Sequence, residues 1–397
     1  MRQMKSRHWG LAGLVLWASG AMAADGVSDL DLDSLHIESH GFVSFGYLKS
    51  WGNNWLGETL DGTSEFYEAA ANVIARPLDR LRIGAQLFTR DLGNYGNGNV
   101  ELDWAYADWR FADAFGVQVG RVKLPLGLYS DALDLDAARP SVFLPRCFVY
   151  PLRSRDILMA TDGGKVYGTS GPFDWAATLG NRQFSNDSDF ANALIFLSRQ
   201  LSQVTDIDTD YSASGMLHWR TPIPGLEAQL CGATVQGLNV EGISLTGTAA
   251  VEIRLPEWYI GFGGLIYEMG DFTWSAEYAR QHAPRHVIIT PFNGGPVREI
   301  DNVIREEDAY LSLTWHARRW LDLYAAVEGL WDDPTNLRGA PYSENAVAAF
   351  AVMPTRHWSF KVEYRFMHGT KDIDANLNPD GIADHTQVLA LKTTVDF

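Results

Sequence analysis

The side chains that could do chemistry in this chain gather between Pro125 and Ala160. They are Asp131, Asp134 and Asp136, then Arg139, Arg146, Arg153 and Arg155, with Arg121 and Lys123 just before them. Groups of this kind recognise rather than react. An arginine fork matches a carboxylate or phosphate, and fixed charges around a narrow water path set which ions pass. The heart of the segment, RPSVFLPRCFVYPLRSRD from Arg139 to Asp156, mixes four arginines with apolar side chains and three prolines. That is too much proline for a strand or helix and too apolar for a solvated loop, so the segment must pack against something.

Motifs for bond-making are weak elsewhere. HAPRH places His282 and His286 in what reads as an external loop. DGGKVYGTSG has glycines and a lysine without phosphate-loop spacing. DLDLD, near the N-terminus, lacks the Gly and Glu that complete a calcium loop. No lipid-facing serine stands beside a histidine. The chain is therefore expected to have no catalytic residues, no metal and no cofactor.

The N-terminus bears on the compartment. Arg2, Lys5 and Arg7 precede the apolar stretch LAGLVLWASG, and AMA (Ala21–Ala23) ends it with small residues at both flanks, the pattern of a cleaved secretory signal over residues 1–23. Residues 24–37 read as a periplasmic leader. The net charge is −17, and loss of the signal removes three bases and no acids, giving −20. That balance argues against nucleic acid as a partner and against charge-driven adhesion to an anionic bilayer. Beyond the signal no apolar run approaches the roughly 18 residues of a spanning helix; YIGFGGLIY and AVAAFAVM reach half that. A membrane could then be crossed only by a closed β-barrel, because lipid offers no water to unpaired backbone groups.

The elements that would position the charged loop are strands. In WSFKVEYRFM, Trp358, Phe360, Val362, Tyr364 and Phe366 alternate with Ser359, Lys361, Glu363 and Arg365; FTWSAEYA, AYLSLTWH and YSASGMLHWR alternate likewise. A period of two is the strand signature. A soluble sandwich would alternate too, but mid-strand charges, aromatics crowded at strand ends and connections alternating between short and long favour a barrel with a wet interior. Strands are expected near 39–50, 65–76, 81–90, 101–110, 115–124, 161–169, 172–181, 209–220, 225–236, 257–268, 271–281, 307–317, 320–330, 344–353, 357–368 and 385–397. The expected fold is all-β: a transmembrane antiparallel barrel of about sixteen strands over residues 38–397, with short periplasmic turns and long extracellular loops.

Residues 125–160 form the longest stretch without alternation, and long insertions in compact folds are usually functional. This one is expected to fold into the lumen. Val142, Phe143, Leu144, Phe148, Val149 and Leu152 would pack on the wall, and the arginines would face the water path; an external lid or subunit contact is the alternative. Strand parity gives a mixed lumen wall: Arg82, Arg90, Arg220, Lys361, Arg365 and Lys392 against Glu68, Glu101, Asp103, Glu227, Glu277, Asp322 and Glu328. The two cysteines, Cys147 in the loop and Cys231 on the lumen face of its strand, could be joined. Such a disulfide would contribute about 4 kcal/mol; two separate thiols are the alternative.

The last strand ends on VLALKTTVDF, with Leu389, Leu391, Thr393, Val395 and Phe397 on one face. This resembles the C-terminal signal read by the barrel assembly machinery, with Phe397 as its mark. At GRVKLPLGLYSD with RPSVFLP downstream, and at YSASGMLHWRTPIPGLEAQL, the chain resembles the Gram-negative porins related to the phosphate-selective porin family. The resemblance is loose over the whole barrel and firmest from Gly120 to Pro145. It implies a sixteen-stranded, trimeric outer-membrane pore with its third loop inside. Phosphate-selecting members line the lumen with dense arginine and lysine ladders, and the mixed lumen inferred here departs from that. The expected function is passive diffusion of small hydrophilic solutes, leaning to anions such as phosphate or carboxylates, in contact with outer-membrane lipids. A non-conducting barrel serving adhesion or envelope structure is the alternative.

Overall fold

A computed structural model describes residues 36–397 except 131–135, 137, 138, 148, 149, 151, 153, 154, 199 and 334–339; for 155, 156 and 196–198 it describes the backbone alone. The expected signal, most of the leader, and Asp131, Asp134, Phe148, Val149 and Arg153 therefore lie outside the described residues, as does the side chain of Arg155.

The strands are β1 His36–Trp51, β2 Phe66–Leu78, β3 Leu81–Leu92, β4 Val100–Ala112, β5 Phe115–Lys123, β6 Ala160–Ser170 and β7 Phe173–Asn181. Next comes β8, in two segments, Leu201–Asp208 and Tyr211–Arg220. Then follow β9 Leu226–Ser244, β10 Ala249–Met269, β11 Phe272–Pro291, β12 Arg298–Arg318, β13 Leu321–Trp331, β14 Tyr342–Thr355, β15 Trp358–Gly369 and β16 His385–Asp396. The two β8 segments pair with successive stretches of β9, the second from Arg220↔Glu227 to Tyr211↔Gln236 and the first from Asp208↔Asn239 to Leu201↔Ser244. They are one wall strand with a break, so the wall has sixteen. Each pairs antiparallel with its chain neighbours, and β1 closes the ring on β16 from Phe42↔Asp396 to Trp51↔Gln387. Phe397 continues this seam: its N–H and C=O exchange 2.9 Å hydrogen bonds with Gly41. Closure removes the open edge from the ring, whereas beyond it residues 298–306 of β12 and the segment Leu201–Asp208 of β8 are each paired on one side among the described residues.

The alternation resolves as expected. Phe45, Val73, Leu87, Leu217, Leu311 and Phe360 point outward and are exposed, while Ser44, Gln86, Ser214, Ser312, Lys361 and Arg365 point inward and are buried. An apolar belt around a whole barrel is far larger than water-facing surfaces carry. Aromatic pairs gather beside the short turns: Phe111 with Phe115 at 5.5 Å, Phe173 on Trp219 and Phe272 on Trp315 at 6.1 Å each. An interfacial girdle has this form.

Strands β9–β12 are longer than the sequence pattern suggests. HAPRH, expected in an external loop, lies within β11, with His282 opposite Arg305 and His286 opposite Asp301. The β10–β11 ladder breaks between Arg254↔His286 and Tyr259↔His282, so four residues face three. Pro256 and Pro284 both fall in this bulge, which spares a ladder the N–H groups that proline lacks. With these strands extended, the connections at 245–248 and 292–297 are shorter than expected. Among the described residues two helices interrupt the connections, α1 Arg155–Met159 and α2 Asp189–Ser198. Neither they nor any other described helix is long and apolar enough to cross a membrane.

Candidate functional site

The segment after β5 enters the barrel and is pinned to its inner wall at several places. Gln229 on β9 donates through Nε2 to the carbonyl of Gly127 at 2.9 Å, and the N–H of Leu128 donates to Glu277 Oε1 on β11 at 2.8 Å. Gly264 permits this approach, since a Cβ there would lie 2.8 Å from Leu128 Cγ. The returning limb lands on the same carboxylate: Tyr150 donates its hydroxyl to Glu277 Oε2 at 2.5 Å, beside Tyr310 at 2.7 Å. Burial, reinforced by the charge of Glu277, pushes the Tyr150 phenol well above its ordinary pKa, so it stays a donor.

Between those limbs the loop reaches β15 and β16. Asp136 accepts from Lys392 Nζ at 2.9 Å and Thr394 Oγ1 at 2.7 Å, and lies 2.8 Å from Lys361 Nζ. Lys392 also holds Glu68 of β2, at 2.5 Å. Burial alone would raise the Asp136 pKa, but Lys392, Lys361 and Arg139 outweigh it and hold the carboxyl well below its ordinary range. Six residues on, the N–H groups of Val142 and Phe143 donate to Glu363 Oε2 at 2.9 and 3.1 Å. The Phe143 ring stacks on Phe66 at 5.5 Å and meets Trp55 edge-on at 5.3 Å. Val142, Phe143 and Leu144 are buried, and Leu152 packs beside them.

Arg146 reaches the loop before β16. Its Nε and Nη2 lie 2.9 and 2.5 Å from the two oxygens of Asp372, which also accepts from Trp55 Nε1 at 3.1 Å. That loop is interlocked with the one after β1: Asn53 Nδ2 donates to the Ala383 carbonyl and to Thr386 Oγ1, both at 2.8 Å. Lys371, next to Asp372, is held by Glu306, Asp308 and Asp332. Burial would lower its pKa, but the three carboxylates raise it above its ordinary value.

Asp136 and Arg139 thus share one anchor with Lys361 and Lys392, while Arg146 holds another. Arg146 is not on a water path as expected; it is 6% exposed and bound to Asp372. A guanidinium removed from water needs such a partner. Arg121 departs further. It stands opposite Ala105 and Asp162, two positions from the exposed Val119, on the outer face of the wall. It pairs with Asp162 at 2.7 Å. Lys123 shares that strand parity, so neither lines the constriction. Of the wall residues, Arg82 pairs with Asp108 at 2.9 Å, Arg90 with Asp189 of α2 at 2.6 Å and Arg220 with Asp174. Arg365 is clasped by Glu328 and Glu363, at 3.1 Å from the latter. Cys147 and Cys231 are both thiols within one apolar cluster, not a disulfide.

Sequence reading missed Asp372, Lys371 and Asp189, which lie in connections with no periodicity to orient them. Glu363 was visible by strand parity, beside Lys361 and Arg365, but its role as acceptor for the loop backbone was not.

The chain matches no protein-family model and no curated protein. It does superpose on solved barrels. OmpT expressed in the outer membrane of Vibrio cholerae is 12% identical with a TM-score of 0.55, over 92% of this chain and 98% of that one. The Salmonella typhi OmpF complex with daunomycin is 10% identical with a TM-score of 0.59, over 92% and 99%. The anion-selective porin from Comamonas acidovorans is 11% identical with a TM-score of 0.53, over 92% and 100%. At such identities the likeness is one of fold, and it extends over nearly the whole of each chain.

Proposed function

We propose that the protein is an outer-membrane porin, a water-filled channel for passive diffusion of small hydrophilic solutes. The carrying observation is the division of the wall: apolar side chains outward around the full ring, charged and hydroxyl side chains inward, and a loop pinned across the interior. Lipid on the outside and water within is the environment that makes this division favourable. Fold likeness to porins, one of them described as anion-selective, supports the reading. A secretory signal at residues 1–23, recognition of Phe397 by the barrel assembly machinery and a homotrimer belong to the same proposal; a trimer form of OmpT from Vibrio cholerae has the same fold.

Charge selection in this reading is mild. Arg82, Arg90, Arg146, Arg220 and Arg365 are each answered by a carboxylate, which leaves no basic ladder of the phosphate-selecting kind among the described residues. Any leaning to anions comes from the anchor at Asp136. There Arg139, Lys361 and Lys392 outnumber Glu68 and Asp136. Proteoliposome swelling tests the proposal: uptake of small sugars should fall steeply with solute size, and swelling no faster than that of protein-free liposomes overturns it.

A further inference from the structure

A partly open cavity of about 60 Å³ lies between the inserted loop and the inner face of β1–β3. Phe42, Phe88, Val142 and Leu144 give it apolar walls, and Glu68, Arg90, Asp136 and Arg139 give it charge. Nearly all of that charge is satisfied. Lys392 and Lys361 neutralise Glu68 and Asp136, and Arg90 is bound by Asp189 at 3.1 and 2.6 Å.

Arg139 is the exception. Its one ion-pair contact, Nη2 to Asp136 Oδ1, is 3.4 Å long, well beyond the usual length of a charge-assisted bond. Its Nε is buried with no hydrogen-bond partner. Asp136 is already saturated by Lys361, Lys392 and Thr394, so this guanidinium has donors to spare beside an apolar wall.

We propose that this cavity is a binding subsite for a short-chain aliphatic carboxylate. The carboxylate takes the fork of Arg139, and the hydrocarbon lies on Phe42, Phe88 and Val142. Size sets the chain length: a benzene ring occupies a cavity of about 150 Å³, so one of about 60 Å³ encloses an apolar body of about two carbons, with the carboxylate at its open side against Arg139. Formate would lack that body, and an alcohol of the same length would lack the charge. The meaning for transport rests on the channel reading above; the binding itself does not.

Calorimetric titration of the detergent-purified barrel with sodium propionate, at fixed ionic strength, reads the binding. Saturable binding is expected, weaker by about tenfold or more for formate, for 1-propanol and for the Arg139→Gln variant. Leu144→Ala should shift preference from propionate toward valerate, an effect that general loosening of the loop would not give. Gel mobility before and after heating checks that each variant remains a folded barrel. No saturable heat with propionate, or equal affinity in Arg139→Gln, overturns the subsite. Bilayer recordings separate the two claims. Propionate should reduce chloride conductance in the native protein and not in Arg139→Gln. Ohmic conductance with no saturable heat from propionate overturns the subsite and leaves the channel; saturable binding without conductance does the reverse.

Discussion

Arg146 and Asp372, 226 residues apart, form a two-point ion pair inside the barrel, with side chains 8% and 3% exposed. The pair ties the inserted loop to the loop before the last strand. Replacing Arg146 by Met removes the cationic half of this buried pair, a change that costs about 3–5 kcal/mol. The double variant Arg146→Met/Asp372→Asn should be less damaged than Arg146→Met alone. Thermal melting of the four proteins of this cycle checks the coupling, and simple additivity would contradict it.

Asp136 gives the loop a pH dependence of known sign. Its folded pKa lies below the unfolded value, so its contribution is fully present above about pH 4 and is lost as pH falls through the lower folded value. Protease protection of the loop should hold from pH 7 down through the ordinary aspartate range and fail only below it. Asp136→Asn should release the loop at neutral pH. A native transition centred above pH 5 contradicts this assignment.

Phe143 is the apolar counterpart of these ionic anchors. Truncation to alanine removes its contacts with Phe66 and Trp55 and should weaken loop docking by about 3 kcal/mol. Loop cleavage by protease should rise while far-ultraviolet circular dichroism of the wall stays unchanged.

Cys147 and Cys231 are separate thiols. Alkylation in denaturant, without reductant, should modify both in every chain. Recovery of a peptide pair joined by a disulfide would contradict the structure.

Strand parity was legible wherever one face meets apolar surroundings and the other polar. It placed Lys361, Arg365 and Lys392 inside and Phe360 and Leu391 outside, and it located most strand ends within two residues. It failed where that contrast fades. The outer halves of β9–β12 carry Glu252, Arg254, Glu299 and Asp301 together with prolines that look like breaks, yet the bulge at Pro256 and Pro284 absorbs them. Arg121 was misjudged because proximity to the charged loop outweighed its own register. The anchors were illegible for another reason: Asp136 finds Lys392 across 256 residues, and no local pattern encodes such a meeting. Helix α2 escaped because its short apolar run, DFANALIFLS, sits among turn residues.

Planar-bilayer recording reads the water-filled interior itself. The purified protein should insert in discrete ohmic steps whose size grows in proportion to salt concentration, and Asp136→Asn should enlarge or destabilise those steps. Insertion without any step in conductance would contradict a water-filled interior.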